Sequence, residues 1–327
     1  MKGYTKLCYG FFLSCAFCFP VLAQSYPTKP VRVIFPFPAG SLLDTFSRNL
    51  GQQITEATRQ PVLVENRPGA SSIIGMEACA KAAPDGYTLC LTVQDSITYN
   101  PLMFTRLPYD PENDFTPVTQ FCSISGAIVA SGDAPVSSIK QLITYAKANP
   151  GKINWGTWGS ASLPEMYVNW IKLKTGVEIT AIPYKGAGQA WPALLANEVQ
   201  TSFIGLAFSM PQVKAGKVKL LAVAGARRSP AVPDLPSLAE EGADPGLNVW
   251  FGAFVPSRTP RPVVTQVNAE LVKALRSPKM QEFMRAQLLE AVGSSPAEFA
   301  EFLKEDRANA VKVFKTLGIK PTDAPSS

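Results

Sequence analysis

The stretch VIFPFPAGSLLDTF, residues 33–46, decides how the rest of the chain is read. Its first five residues form an apolar run suited to a strand buried on both faces. The run breaks at the small-residue turn Pro38-Ala39-Gly40-Ser41. Leu43, Phe46, Leu50 and Ile54 then recur at helical spacing. Ser41-Leu42-Leu43-Asp44 fits the capping box, Ser/Thr followed three residues later by an acid, that opens many helices. The turn carries no lysine or histidine, so its chemistry is that of its backbone N–H groups. At a helix start these groups carry partial positive charge and attract carboxylate or phosphate.

The same unit recurs twice. A strand at 152–156 leads through Gly156-Thr157-Trp158-Gly159-Ser160 to a second box, Ser162-Leu163-Pro164-Glu165. A third turn begins at Lys185-Gly186 within IPYKGAGQ, residues 182–189. Further strands are expected at 31–36, 61–65, 87–92 after a turn at 84–86, 177–182, 199–205 and within 247–256, with one or two across 116–131. Helices are expected at 42–58, 72–82, 137–148, 163–174, 188–196, 262–276, 278–287 and 296–315. This alternation predicts an α/β fold with mostly parallel sheets flanked by helices. Chain length favours two lobes around a cleft. Crossings near 122–127 and 247–253 would put both termini in one lobe, 24–126 with 247–327, and make 127–246 the other.

Lys2 and Lys6 precede an apolar stretch at 7–22 that ends in Val21-Leu22-Ala23. This reads as a signal peptide, residues 1–23, cleaved after Ala23. Cys15 and Cys18 are poor lipoprotein sites, since the apolar run continues past both. The formal charge of +6 becomes +4 once the two lysines leave. No Lys/Arg stripe suggests nucleic acid. Three of the six cysteines remain, Cys79, Cys90 and Cys122. They allow at most one internal bridge and are read as small buried hydrophobes.

The chain has no histidine, which removes the Ser-His-Asp triad, Cys-His pairs and most zinc sites. No metal or cofactor is implied. Ser137-x-x-Lys140 and Lys174-Thr175-Gly176 match two β-lactamase elements, so an exported serine enzyme is the rival from another class. Ser137 reads better as a helix N-cap and Gly176 as a helix stop. Trp158 sits in a turn where a core has little use for it, whereas Trp155, Trp170, Trp191 and Trp250 read as core.

Together these segments resemble the Bug family, the extracytoplasmic solute receptors of tripartite tricarboxylate transporters. The likeness is carried by YPTKPVRVIFPFPAGSLLD, PVLVENRPGA, AKAAPDGYTL, LPYDPENDFTPV, ANPGKINWGTWGS, IPYKGAG, KAGKVKLLAV and RSPAVPDLPSLAEEG, in that order. The resemblance implies a two-lobed, type II-like periplasmic binding fold that closes on a small organic carboxylate. It implies a monomer, a periplasmic location and delivery to a membrane permease; presentation to a sensor kinase is the alternative. Implied contacts are Phe37, Ala39, Gly40, Ser41 and Leu42 on the first turn, and Gln94, Asp95 and Ser96 after the third strand. The facing lobe would add Thr157, Trp158, Gly159, Ser160, Ser162, Tyr184, Lys185, Gly186 and Ile204.

Departures from the family pattern bear on the ligand. Ala39-Gly40-Ser41 replaces the usual Pro-Gly-Gly, and Leu42 and Leu43 replace smaller or more polar residues. Trp158 stands where serine is common, and Asp95 where a small polar residue is usual. Phe203-Ile204 replaces Phe-Asp, which argues against amino-acid ligands. The expected solute has one carboxylate and an apolar or aromatic body, and the bulk of Leu42 and Trp158 disfavours citrate.

Overall fold

The computed structural model describes residues 26–159 and 162–325. The signal peptide expected at 1–23, with cleavage after Ala23, lies outside the described residues, as does Ser160.

The first sheet contains six strands, β1 (Val31–Phe35), β2 (Val62–Asn66), β3 (Thr88–Val93), β4 (Phe115–Ile124), β10 (Trp250–Pro256) and β11 (Leu289–Ala291), in the order β11-β4-β10-β3-β1-β2. β1 pairs in parallel with β2 and β3, with Val33 opposite Val64 and Leu89. One face is covered by α1 (Leu42–Thr58), α8 (Arg261–Leu275) and α9 (Pro278–Ala286). The other meets α2 (Ile73–Ala80) and α10 (Pro296–Thr316).

The second sheet comprises β5 (Gly126–Ser131), β6 (Asn154–Thr157), β7 (Thr180–Pro183), β8 (Thr201–Gly205) and β9 (Val218–Val223), ordered β7-β6-β8-β5-β9. It packs between α4 (Ile139–Ala148) with α5 (Leu163–Thr175) and α6 (Ala187–Leu195) with α7 (Leu206–Lys214). A single residue, Ser125, separates β4 in one sheet from β5 in the other.

Both sheets are mixed rather than mostly parallel. β10 runs antiparallel to β3 and β4, and β5 runs antiparallel to β8 and β9. Parallel neighbours need a helical crossover. β5 and β10 enter their sheets directly from the other one, so they arrive reversed. Two helices escape the sequence patterns: the one-turn α3 (Asn100–Met103) and α7, whose interior holds Pro211. Proline removes a backbone donor and hides the helix from propensity.

The cysteine expectation is corrected. Cys79 on α2 and Cys90 on β3 form a disulfide with Cα atoms 6.0 Å apart, and Cys122 is free and buried. Only the packing of α2 on β3 brings the two thiols within reach. A shared apolar cluster joins the halves, with Met166 and Trp170 of α5 against Val313 and Phe314 of α10 and against Tyr99.

Candidate ligand-binding cleft

The first turn supplies its own anion. Gly40, at φ +83°, bends the chain in the left-handed region, and Ser41 Oγ caps α1 by accepting the Asp44 N–H at 3.1 Å. The Asp44 side chain does not close the box on Ser41. It reaches one residue further, where Oδ2 accepts the Gly40 N–H at 2.9 Å. Oδ2 also takes Arg48 Nε at 3.1 Å, and Oδ1 takes Asn66 Nδ2 at 2.8 Å. Burial opposes ionisation of Asp44, but the hydrogen bonds from Asn66, Gly40 and Arg48 outweigh it and hold the carboxyl below its ordinary range.

The other turns follow the same plan. Trp158 N–H donates to Ser162 Oγ at 3.2 Å, and Lys185 N–H donates to Gln189 Oε1 at 3.1 Å. In each case the acceptor lies four residues on. Ser162 therefore spends its hydroxyl on the turn and makes no cap to α5, so the second box expected from sequence does not form. On the decoy, Ser138 rather than Ser137 caps α4. Ser137 Oγ bonds Gln141, and both Ser137 and Lys140 are exposed.

Two adjoining cavities of about 440 and 230 Å³ open between the sheets. They share Asp95, Trp158 and Leu163. Phe37, Pro38, Ser71, Ser72 and Ser162 complete the larger. Leu43, Val93, Gln94, Ser125, Gly126, Phe203 and Gly205 complete the smaller. The walls thus come from the carboxyl ends of β1, β3, β6 and β8, where open α/β sheets place ligands. A separate cavity of about 400 Å³, beside Arg227, Arg228 and Glu290, shares the crossing residues Ser125 and Gly126.

Of the residues expected at the site, the cleft brings together Phe37, Gln94, Asp95, Trp158 and Ser162. Ala39, Gly40, Ser41 and Leu42 stay off its walls, as do Tyr184, Lys185 and Gly186. Ser96 is interior and accepts the Thr92 hydroxyl at 2.8 Å. Thr157 is fully buried, and Gly159 turns the chain at φ +98°. Ile204 points into the core at 2 % exposure, while Phe203 and Gly205 on either side meet the cavity. Strand alternation dictates this, because neighbouring residues face opposite ways. The alternation was readable in sequence; the importance of Gly126 was not. A Cβ on Gly126 would lie 2.2 Å from the Phe203 ring.

Among the described residues, Asp95 is the only charged one lining the two cavities. It opens a π-helical turn, 95–99, directly after β3, a local form found often at functional sites. Gln94 Nε2 donates to Asp95 Oδ1 at 3.2 Å, and Gln94 Oε1 accepts the Trp250 N–H at 3.3 Å. The backbone donor fixes which way the amide points. Burial pushes the Asp95 carboxyl up to about 6, and the Gln94 bond only partly offsets it.

Behind this turn sits a buried acid, Asp306 on α10. It accepts Thr98 Oγ1 at 2.8 Å, Trp250 Nε1 at 3.0 Å and Asn248 Nδ2 at 3.0 Å. Tyr99 and Tyr167 hydroxyls donate to the carbonyls of Asn248 and Leu247 at 3.2 and 3.4 Å. The returning crossing segment is thereby tied to both halves of the molecule.

The family model described as the tripartite tricarboxylate transporter family receptor matches residues 46–319. The chain is similar to a Rhodopseudomonas palustris protein solved with adipate, at 32 % identity and a TM-score of 0.78, covering 91 % of this chain and all of that one. It is similar to the periplasmic binding protein BugD at 31 % identity and a TM-score of 0.75, covering 91 % and 100 %. It is also similar to MatC of Rhodopseudomonas palustris, solved with malate, at 27 % identity and a TM-score of 0.72, covering 88 % and 99 %. These neighbours are solute-binding receptors rather than enzymes. The two-sheet fold, the cleft between the sheets and the match across most of the chain give one conclusion: this protein belongs to the tripartite tricarboxylate transporter receptor family.

Proposed function

We propose that the protein binds a small carboxylate in the cleft and delivers it to a tripartite tricarboxylate-type permease. In this reading it is a periplasmic monomer cleaved after Ala23. Its two halves, 24–126 with 247–327 and 127–246, close on the ligand and so shift an open–closed equilibrium. The observation that carries the reading is the cavity pair walled by both sheets, with Phe37 on one side and Trp158 on the other. Adipate and malate on two similar proteins support the carboxylate class.

One carboxylate would lie at the start of α1, where Leu43 lines the smaller cavity. Asp44 occupies the Gly40 amide and Ser41 the Asp44 amide, while the Leu42 and Leu43 amides meet no acceptor among the described residues. The apolar body would lie against Trp158, Leu163 and Phe203. Burying a ring there contributes roughly 1.5–3 kcal/mol before ordering costs.

Tryptophan fluorescence tests this directly, because Trp158 lines both cavities. Aromatic and aliphatic carboxylates should quench or shift the signal and saturate, and Trp158→Ala should remove both the response and roughly tenfold or more of the affinity. Tight citrate binding with silence toward every other acid would refute the apolar-bodied ligand. Solute uptake in a strain lacking only the permease separates transport from presentation to a membrane kinase, since sensing survives that deletion.

A further inference from the structure

We propose that Asp95 selects the solute by accepting a nitrogen donor, so that the receptor's ligands are amino carboxylates with an apolar body. This rests on the carboxylate-receptor reading and adds the second pole of the ligand.

The placement of the acid carries the inference. Asp95 lies on both cavities, and no lysine or arginine among the described residues lines either one. It takes part in no ion pair among the described residues. Its one side-chain hydrogen bond is from Gln94 to Oδ1, which leaves Oδ2 for a partner outside the chain. Gln94 is itself 2 % exposed and anchored by Trp250, so it holds Asp95 in place. The other titratable groups near Asp95 are committed elsewhere. Tyr99 donates to Asn248 and Tyr109 donates to the Ser96 carbonyl at 2.8 Å.

The surroundings decide what the partner is. Val93, Leu163 and Phe203 give the cleft apolar walls, and closure around a ligand would strip water from the carboxylate. An unpaired charge in such a site is costly, and a cation within reach is worth more there than in water. A plain dicarboxylate would instead bring a second negative charge to the acid. An ammonium or other N–H donor satisfies Oδ2 and cancels the charge. The family position that seemed to have lost its acid, Ile204, is packed in the core, so its apolar nature says nothing against an amine. Asp95 instead puts an acid on the wall formed after β3.

The test is calorimetric titration of the mature protein near neutral pH with matched pairs: phenylalanine against 3-phenylpropanoate, and 5-aminopentanoate against pentanoate. For at least one pair the amino member should bind roughly tenfold tighter, the scale of a single ionic contact in a partly desolvated site. In Asp95→Asn, shown folded by circular dichroism, the ratio within the pair should fall to near one. Equal binding within every pair, or a preference that persists in Asp95→Asn, overturns the inference and leaves the carboxylate receptor standing. Deaminated acids that bind better, and only as pH drops, would mean a proton shared between two carboxyls, which also overturns it. Failure of every acid, with or without nitrogen, removes both readings.

Discussion

Gly40 donates its amide to Asp44 at 2.9 Å, so the negative charge at the start of α1 is one the chain supplies for itself. The turn is therefore rigid before any solute arrives. Under the proposed function, a ligand carboxylate would meet a helix start that is partly neutralised, and specificity would rest with the cleft walls.

Asp44→Ala should destabilise the protein by about 2–4 kcal/mol, because it leaves the Asn66 amide and Gly40 N–H without their acceptor. Urea unfolding measures it. The Asp44 carboxyl titrates below its ordinary range in the native state, so its stabilisation is full above the unfolded value and is lost as pH falls through the folded one. The gap between wild type and Asp44→Asn should be constant from neutral pH down to the ordinary carboxylate range, then narrow on further acidification.

Asp95 works in the opposite sense. Its carboxyl rises from the ordinary 3.8 to about 6, so the native state binds the proton more tightly than the unfolded chain. Its effect on stability is absent below about 3.8, grows as a penalty up to about 6 and is constant above. Ligand-free Asp95→Asn should therefore be more stable than wild type at neutral pH, by on the order of 3 kcal/mol, and should lose this advantage near pH 4. Melting temperatures across that window decide it. A variant no more stable at neutral pH would mean that Asp95 is well solvated in the empty cleft.

Reducing Cys79–Cys90, which closes a sequence separation of 11, should cost about 2–3 kcal/mol. The check is thermal unfolding with and without reductant, compared with Cys79→Ser/Cys90→Ser, which should be insensitive to it. Burial pushes the Cys122 thiol far up, so it should resist alkylation until denaturant is added.

Asp306→Ala should be among the most damaging single changes. It leaves donors from Thr98, Trp250 and Asn248 unmatched in a buried site, at about 3–5 kcal/mol. Asp306→Asn, which keeps one acceptor oxygen, should fall between. Equilibrium unfolding of both variants ranks them, and a loss under about 1 kcal/mol for alanine would mean that water replaces the carboxylate without cost.

Sequence alone determined what local physics determines. The helix at 42–58 coincides with α1 because an apolar face, a serine cap and a small-residue turn agree at one place. Gly176 ends α5 in the left-handed region, at φ +69°, because few other residues fit there. Trp158 stood out as a large ring in a turn, and it lines the cleft. Tertiary structure decided whatever depends on residues far apart in the chain. It paired Cys79 with Cys90, reversed β5 and β10, and turned the promised capping box at Ser162 into a clasp on Trp158. It also buried Ile204 and left Asp95 as the sole charge among the described residues on the cavity walls. Caps and periodicities act over a few residues, so they can be read in order along the chain. Strand direction, disulfide reach and the electrostatics of a cleft arise only when distant segments meet.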